Sequence, residues 1–298
     1  MTPESSERPR WQSGIEWTAA IALTAMWLAA GLWKLSDLTG MQVRMTQVLV
    51  PKSLSLAAAL FFGMVEAFAG LLLLLPRWRR WGSWLSAGLL AAFMAYIGIH
   101  YRALTGVDCS CFPWLKRAIG PMFFVEDGAL IVLAMLSGWW TAPSRSPRGA
   151  AAALAAVAVL AAGFLVVDRT GGRGAVGPES ITAEGHELSL RQGRVLLFFF
   201  NPYCPHCFQA AQAMSRLTWQ ATIVGIPTQA FEESKGFFQS AGMQDVQLSP
   251  DVQKLRQAFP FQDVPYAVAL ENGRVQEKLV FFEEPELSGK LRQLGLAR

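Results

Sequence analysis

The sequence predicts an α-helical membrane bundle, four helices plus a fifth linking helix, followed by a soluble α/β domain. Hydrophobic residues make up 52% of the 298 residues and charged residues only 16%, whereas a soluble domain carries about 25% charged residues. The apolar content is concentrated in residues 15–167, and the sequence from about residue 180 onward has the composition of a soluble domain. This uneven distribution indicates a membrane half and a water-soluble half.

Five apolar runs predict the membrane helices, because each approaches the roughly 20 residues that a helix needs to cross the hydrocarbon core. They are Ile15–Trp33, Leu54–Leu75, Gly82–Tyr101, Met122–Trp140 and Gly149–Val167. The first run ends at bulky Trp33 rather than at a small-residue cleavage site, so we expect a retained helix and not a signal peptide. The expected division is a tail over 1–14, a four-helix domain over 15–142, a fifth helix with linker over 143–178 and a soluble domain over 179–298.

Four cysteines form two close pairs, Cys109/Cys111 and Cys204/Cys207. A small domain held together by disulfides would be shorter and richer in cysteine, so the two pairs indicate a chemical role rather than a structural one. The net charge of +4 is modest, and no basic stripe with interleaved aromatic residues predicts nucleic acid binding.

In the soluble half, a buried strand is predicted to lead directly into the second cysteine pair. Val195–Phe200 is a continuous apolar run typical of a central strand, and a helix is expected from the pair to about Leu217. Cys204 therefore lies at a strand-to-helix junction, where helix-end amides and the neighbouring His206 stabilise a thiolate. The further expected elements are strands Thr222–Pro227, Val246–Leu248, Ala267–Leu270 and Gln276–Phe281, an Asn272-Gly273 hairpin turn, and helices over Ala230–Ser240, from Ser249-Pro250, and over about Glu284–Leu294.

This order of elements around Cys-Pro-His-Cys resembles the thioredoxin fold, and within it the TlpA-like or MauD-like thiol oxidoreductases. The resemblance implies that Cys204 is the exposed nucleophile and Cys207 the resolving thiol. It also implies that Pro265 is a cis-proline facing the disulfide, with Val264 offering backbone groups to a substrate. The Pro-His dipeptide is similar to that of oxidising DsbA-like proteins, in which His206 would stabilise the reduced form.

Two positions depart from the thioredoxin pattern. Phe198 stands where many thioredoxins carry a buried carboxylate, and Tyr266 replaces the usual Thr after the cis-proline. Both argue against efficient general reductase activity. The alternatives for Cys204/Cys207 are a structural disulfide or half of a zinc site, although no second Cys/His pair has finger spacing.

The other cysteine pair lies in Asp108-Cys109-Ser110-Cys111-Phe112, between the third and fourth apolar runs. A disulfide between residues two apart closes a small, strained ring that exchanges readily. The sequence therefore predicts a second redox pair, and a structural disulfide or a metal pair with His100 stays open as an alternative.

Ionisable residues within the apolar runs are candidate functional groups, because burial in a membrane is costly for them. Glu66 lies in the middle of the second run, Glu126 and Asp127 lie in the fourth, and Lys34 closes the first. The structural alternative is interhelical pairing, for example of Lys34 with an acid.

Gly31-Leu32-Trp33-Lys34-Leu35, Glu66 and Asp108–Phe112 together resemble the MauE/DoxX-like membrane proteins, with Pro113 as a minor departure. The resemblance covers roughly 15–142. It implies a four-helix bundle that works with a thioredoxin-like partner in maturing a disulfide-rich periplasmic protein in methylamine metabolism. DoxX-like relatives also suggest coupling to quinone, so Lys34 and Glu66 are candidate quinone contacts.

Counting spans places both cysteine pairs on one side of the membrane. The basic residues expected on the opposite side are Arg8, Arg10, Arg77, Arg79, Arg80, Arg145 and Arg148, against Lys34, Arg44, Lys52, Arg102, Lys116 and Arg117 on the cysteine side. This bias and the redox compartment of disulfides predict a bacterial inner-membrane protein with a cytoplasmic N-terminus and a periplasmic soluble domain. A glycine-rich segment, 168–178, is expected to be a flexible linker.

The sequence thus predicts a membrane-bound thiol–disulfide oxidoreductase. Electrons would pass between a periplasmic protein dithiol or disulfide, Cys204/Cys207, Cys109/Cys111 and a quinone, with no covalently bound cofactor. The alternatives are a membrane-anchored, substrate-specific maturation chaperone or metal-handling protein without redox turnover, for a soft metal such as copper, and a transporter based on the membrane acids. The expected partners are the protein substrate and the lipid bilayer.

Overall fold

The computed structural model describes residues 9–106, 118–141, 148–170, 174–261 and 263–298. The chain divides into two compact units, Met1–Leu165 and Val166–Arg298. The helices that begin in the first unit are α1 (Arg10–Ser36), α2 (Leu38–Gln47), α3 (Lys52–Leu74), α4 (Arg79–Ile99), α5 (Tyr101–Leu104), α6 (Pro121–Gly138) and α7 (Arg148–Thr170).

Helices α1, α3, α4, α6 and α7 are each long enough and apolar enough to cross a membrane, so each of the five predicted apolar runs forms a long helix. Proline marks two of their starts. Pro51 is the N-cap of α3 and Pro121 is the first residue of α6, and both positions suit a residue without an N–H because the first amides of a helix have no partner within it.

Helices α1 and α3 are in backbone contact. A Cβ atom placed on Gly31 would lie 2.6 Å from the backbone nitrogen of Ala67 and 2.8 Å from the carbonyl oxygen of Gly63. Small residues at such crossings let membrane helices approach closely. The close packing fixes the position of the residues that follow Gly31 on α1.

The short helix α2 was not predicted, because its sequence is neither apolar enough for a span nor strongly periodic. Asp37 caps it by accepting a hydrogen bond from the backbone N–H of Gly40 over 2.9 Å, and Leu38 and Met41 are buried. It therefore lies against the bundle through one apolar side.

The second unit is built on a mixed five-stranded sheet with strand order β5-β4-β3-β6-β7. The strands are β3 (Arg194–Phe200), β4 (Thr222–Pro227), β5 (Val246–Leu248), β6 (Tyr266–Glu271) and β7 (Arg274–Leu279). Strands β3, β4 and β5 are parallel, whereas β6 and β7 are antiparallel to their neighbours. A separate hairpin, β1 (Ser180–Ala183) with β2 (His186–Ser189), was not predicted. The α/β fold predicted for this half is confirmed.

Alternation along β3 supplies both faces of the sheet with core residues. Leu196, Phe198 and Phe200 face a cluster that includes residues of α8 (Pro205–Ser215), α9 (Ser234–Ala241) and α11 (Glu286–Gln293). Val195, Leu197 and Phe199 face the opposite cluster, which includes Leu255 of α10 (Val252–Ala258). A strand that is buried on both faces reads as a continuous apolar run, which is why it could be predicted.

Several predicted bounds were wrong. The helix expected over Ala230–Ser240 is a 3-10 turn, Phe231–Glu233, followed by α9. Ala230 has a left-handed conformation, so the helical residues begin after it. The helix expected from Ser249-Pro250 begins at Val252, because the hydroxyl of Ser249 accepts from the N–H of Asp251 in a preceding turn.

The described residues of the segment expected to be a flexible linker, 168–178, depart from that expectation. Helix α7 continues to Thr170. Gly174 and Gly177 donate backbone hydrogen bonds to Val275 and Gly273 over 2.8 and 2.9 Å, so this part of the segment is attached to the second unit. The predicted Asn272-Gly273 turn is confirmed, with positive φ at both residues, as a two-residue hairpin requires.

Candidate active site

A tight turn joins β3 to α8 and presents the second cysteine pair. The backbone N–H of Cys204 donates to the carbonyl oxygen of Asn201 over 3.0 Å, and the side-chain oxygen of Asn201 accepts from the N–H of Tyr203 over 3.0 Å. Cys204 is the N-cap of α8 and Pro205 its first residue, where the fixed φ of proline suits a helix start. The sequence prediction that Cys204 lies at a strand-to-helix junction is confirmed.

The two thiols differ in exposure. The structure holds Cys204 and Cys207 as free cysteines, the first half-buried and the second fully buried. The backbone N–H of Cys207 donates to Cys204 Sγ over 3.4 Å, and the N–H of Asn201 donates to Cys207 Sγ over 3.5 Å. One sulfur is therefore accessible to another protein and the other lies directly behind it.

The surroundings push the two pKa values apart. The pKa of Cys204 is lowered to about 6 by the hydrogen bond from the Cys207 thiol, by the backbone N–H groups of Cys207 and His206 and by the charge of His206, against a smaller opposing effect of burial. The pKa of Cys207 is raised by its hydrogen bond to Cys204 and by burial. At neutral pH the reduced pair therefore presents Cys204 as a thiolate, the form that can attack a disulfide, and Cys207 as a thiol.

Pro265 lies at the same end of the sheet as Cys204. The Val264–Pro265 peptide bond is cis, as the sequence predicts, and Tyr266 pairs with Phe199 near the carboxyl end of β3. Val264 and Cys204 both pack against the same core cluster. His206 is exposed on the first turn of α8.

Phe198 makes the interior beneath the cysteines apolar. Its ring is fully buried, stacks on Phe200 with centroids 5.7 Å apart and meets Phe282 edge to face. The position expected to hold a carboxylate in many thioredoxins is thus filled by an aromatic cluster. A proton leaving Cys207 has no acidic or basic side chain at this position to receive it.

In the helical unit, Lys34 and Glu66 form a buried ion pair. The Nζ of Lys34 donates to Oε2 of Glu66 over 2.7 Å, and the side chains are 6% and 12% exposed. The interhelical pairing considered from the sequence is therefore present between α1 and α3, next to the close contact at Gly31. Of the two acids that the sequence analysis named on the fourth span, Asp127 is buried and Glu126 is exposed on α6.

Sequence reasoning missed a second buried cation, Arg79, which it had counted only for topology. The side chain is 2% exposed, its guanidinium lies 3.8 Å from the ring centre of Trp17, and its Nε donates to the carbonyl oxygen of Leu73 over 3.2 Å. The contact joins residues that are far apart in the sequence, so no local signal identifies it.

The predicted redox residues Cys109 and Cys111 lie outside the described residues. The chain on either side of their loop is joined by a hydrogen bond from the N–H of Gly106 to the carbonyl oxygen of Ile119 over 3.0 Å, and Leu104 and Ile119 are buried. Within the part of the chain that the structure describes, no group of three or more His, Cys, Asp and Glu side chains is arranged to hold a metal ion.

Comparison with solved structures returned thioredoxin-like proteins, for the C-terminal region. The structure of MTB dsbF is 18% identical, with 40% of this chain and 98% of that chain covered and a TM-score of 0.34. A thiol:disulfide interchange protein from Bacteroides sp. is 18% identical (41% and 90% covered, TM-score 0.35), and a thioredoxin-like protein from Aeropyrum pernix is 18% identical (47% and 97% covered, TM-score 0.33).

Comparison of the sequence gave a match for the other half of the chain. No curated protein matches this chain. Residues 12–142 match the family model described as "Methylamine utilisation protein MauE". Together with the five candidate spans, this match identifies a membrane protein.

Proposed function

We propose that the chain is a membrane-bound thiol–disulfide oxidoreductase in which the soluble domain exchanges disulfides with a protein substrate. The observation that carries this proposal is the cysteine pair at the start of α8. Its accessible sulfur, Cys204, has a pKa lowered to about 6, and the buried thiol of Cys207 lies within hydrogen-bond distance of it.

In the oxidising direction, a substrate thiolate attacks the Cys204–Cys207 disulfide at Cys204 Sγ. The bond between the two cysteines breaks, Cys207 leaves as a thiolate and takes up a proton, and a mixed disulfide joins the substrate to Cys204. A second substrate thiolate then attacks its own partner sulfur and releases Cys204 as a thiolate. The substrate loses two electrons, which the Cys204/Cys207 pair now holds.

The low pKa of Cys204 favours this direction. Groups that stabilise the thiolate stabilise the reduced form, and stabilising the reduced form makes a disulfide a stronger oxidant. The exposed Pro205-His206 dipeptide acts in the same sense, because the charge of His206 is among the causes that lower this pKa.

For turnover, the reduced pair must be oxidised again, and we assign this step to Cys109/Cys111 in the loop between the third and fourth spans. The dithiol formed there would pass two electrons to a two-electron acceptor soluble in the bilayer, for which a quinone is the proposed class. Lys34 and Glu66 were predicted to contact it. Since each is the other's partner, their pairing accounts for their burial, and a contact with quinone stays a prediction.

We place the soluble domain and the loop at 107–117 on the periplasmic side of a bacterial inner membrane, with the N-terminus in the cytoplasm. The protein substrate is proposed as a periplasmic dithiol or disulfide, and methylamine metabolism is the context suggested by the MauE match. These assignments rest on the parity of the five spans and on the compartment in which disulfides persist.

Trapping thiols with an alkylating reagent in living cells tests the proposal. We expect Cys204/Cys207 to be oxidised at steady state and the Cys207→Ser variant to accumulate mixed disulfides through Cys204. The matched control, Cys204→Ser/Cys207→Ser, should trap nothing. If Cys207→Ser captures neither a partner protein nor Cys109/Cys111, the relay is refuted, and stoichiometric copper lost on Cys109→Ser would favour the metal-handling alternative.

A further inference from the structure

We propose that Asn201 is a positioning residue for the resolving step, in which Cys207 attacks a mixed disulfide at Cys204. The inference rests on the proposed function and deepens it. Three polar groups of Asn201 are engaged at the site: its N–H donates to Cys207 Sγ, its carbonyl oxygen accepts from Cys204 and its side-chain oxygen accepts from Tyr203.

The local sequence builds this turn. Asparagine is favoured at the first position of a β-turn and proline at the second, and Asn201-Pro202 places them there. The side chain of Asn201 then closes an Asx turn on the N–H of Tyr203 over 3.0 Å, a bond that mimics a backbone turn. Pro202 has no N–H and a restricted φ, so the Asn201 side chain is the group that ties the middle of the turn.

The turn directs the backbone N–H of Asn201 at the buried sulfur. Cys207 Sγ is fully buried, and this N–H lies 3.5 Å from it. Before Cys207 can attack, its thiol must lose a proton, and the resulting negative charge lies on a sulfur that is out of contact with water. Hydrogen bonds to charged groups are stronger than neutral ones, so the N–H of Asn201 stabilises this thiolate, which is the attacking form. Cys204 draws its stabilisation from Cys207 and from helix-end amides, which leaves the first step less dependent on Asn201.

The two steps can be separated with the symmetric disulfide of thionitrobenzoate as probe. Cys204 thiolate attacks one probe sulfur, the probe disulfide breaks, and one thionitrobenzoate leaves. Cys207 then loses its proton to water and attacks Cys204 Sγ. The second thionitrobenzoate leaves and the Cys204–Cys207 disulfide forms. The probe gains the two electrons that the dithiol loses, and the two coloured releases report nucleophilic attack and resolution in turn.

The experiment uses the full chain in detergent, with Cys109→Ser/Cys111→Ser so that only this pair reacts. We expect Asn201→Ala to slow the second release about tenfold, the effect of a weakened hydrogen bond to a charged group, and to change the first by less than about twofold. The pH at which the second release is half-maximal should rise. Asn201→Ser, whose hydroxyl can accept the same N–H, should recover part of the rate.

The matched control is Asn272→Gly. It removes a similar hydrogen bond, which the backbone N–H of Gly193 donates to the side-chain oxygen of Asn272 at the opposite end of the sheet. It should leave both releases unchanged. An Asn201→Ala variant in which the releases slow equally, or not at all, overturns the positioning role. A parent protein with no second release would instead refute the proposed function, so the two failures are distinguishable.

Discussion

At the scale of single residues, the reactivity of Cys204 comes from groups that the fold places around one sulfur. The Cys207 thiol and the first amides of α8 donate to it, and burial opposes them. An ordinary cysteine has a pKa of about 8.5. The lowered pKa makes Cys204 a thiolate at neutral pH. The sulfur is also only half-buried, and disulfide exchange needs both properties.

The alkylation rate of Cys204 should rise with pH and reach a plateau, with a midpoint of about 6. Cys207→Ala should raise the midpoint most, because the largest cause of the lowered pKa is lost, and His206→Ala should raise it less. Rates are measured with iodoacetamide on the reduced chain carrying Cys109→Ser/Cys111→Ser. A midpoint near that of a free thiol in the parent protein would contradict the electrostatic account.

The same lowered pKa makes the stability of the reduced domain depend on pH. The folded-state pKa lies below that of the unfolded chain, so the thiolate stabilises the fold fully above the unfolded pKa of about 8.5. This stabilisation is lost as the pH falls through about 6. Melting of the parent chain and of Cys204→Ser should therefore converge on acidification, and a constant difference between them would exclude the linkage.

The buried pair of Lys34 and Glu66 gives a second test on single residues. Lys34→Met or Glu66→Leu removes one member of the buried ion pair, and breaking such a pair in a protein interior costs about 3–5 kcal/mol. We expect either variant to melt well below the parent chain in detergent, and Lys34→Met/Glu66→Leu to recover much of the loss. If the double variant is stable but no longer passes electrons onward, the pair has a role in electron transfer beyond packing.

At the scale of elements, the sequence predicted what depends on local pattern and missed what depends on contacts. Strand β4 and the turn at Asn272-Gly273 were predicted at their observed residues, since a buried strand and a two-residue turn have strong local signals. Helix α10 begins later than predicted because the Ser249 hydroxyl accepts the N–H of Asp251 in a turn before it. The hydrogen bond from the N–H of Asn201 to Cys207 Sγ joins the end of a strand to a helix. The sequence holds no signal that this N–H points at the sulfur.

The contact of α1 with α3 makes a prediction at this scale. Gly31→Ala puts a methyl group against the backbone of Ala67 and Gly63, so the two helices must separate and the Lys34–Glu66 pair must lengthen. Gly88 on α4 is the control, since a Cβ there would have no neighbour within 4 Å. Replacing a helical glycine by alanine in open space gains about 1 kcal/mol in a soluble helix.

Thermal unfolding in detergent measures both substitutions. Gly31→Ala should lower the melting temperature, and Gly88→Ala should leave it unchanged or raise it. Equal effects of the two would mean that the approach of α1 to α3 does not hold the bundle together.

At the scale of the whole molecule, the proposed relay requires the two cysteine pairs to share one aqueous compartment. The parity of the spans predicts this, because the loop at 107–117 follows the third span and the soluble domain follows the fifth. Among the described residues, the opposite end of the bundle carries Arg77 and Arg148 together with the exposed tryptophans Trp11, Trp81, Trp84 and Trp139. Tryptophan favours the membrane interface, and arginine is in excess on the cytoplasmic side.

Labelling of spheroplasts with a membrane-impermeant maleimide tests this arrangement. Reduced Cys109, Cys111 and Cys204 should each react when it is the only cysteine present, before the membrane is broken. In a chain with all four cysteines replaced by Ser, Arg77→Cys should react only after permeabilisation, because the proposed orientation puts the turn between α3 and α4 on the cytoplasmic side. If Cys204 and the loop cysteines are labelled from opposite sides, no exchange between them is possible. The soluble pair would then need an external oxidant, and the membrane pair would serve a separate reaction.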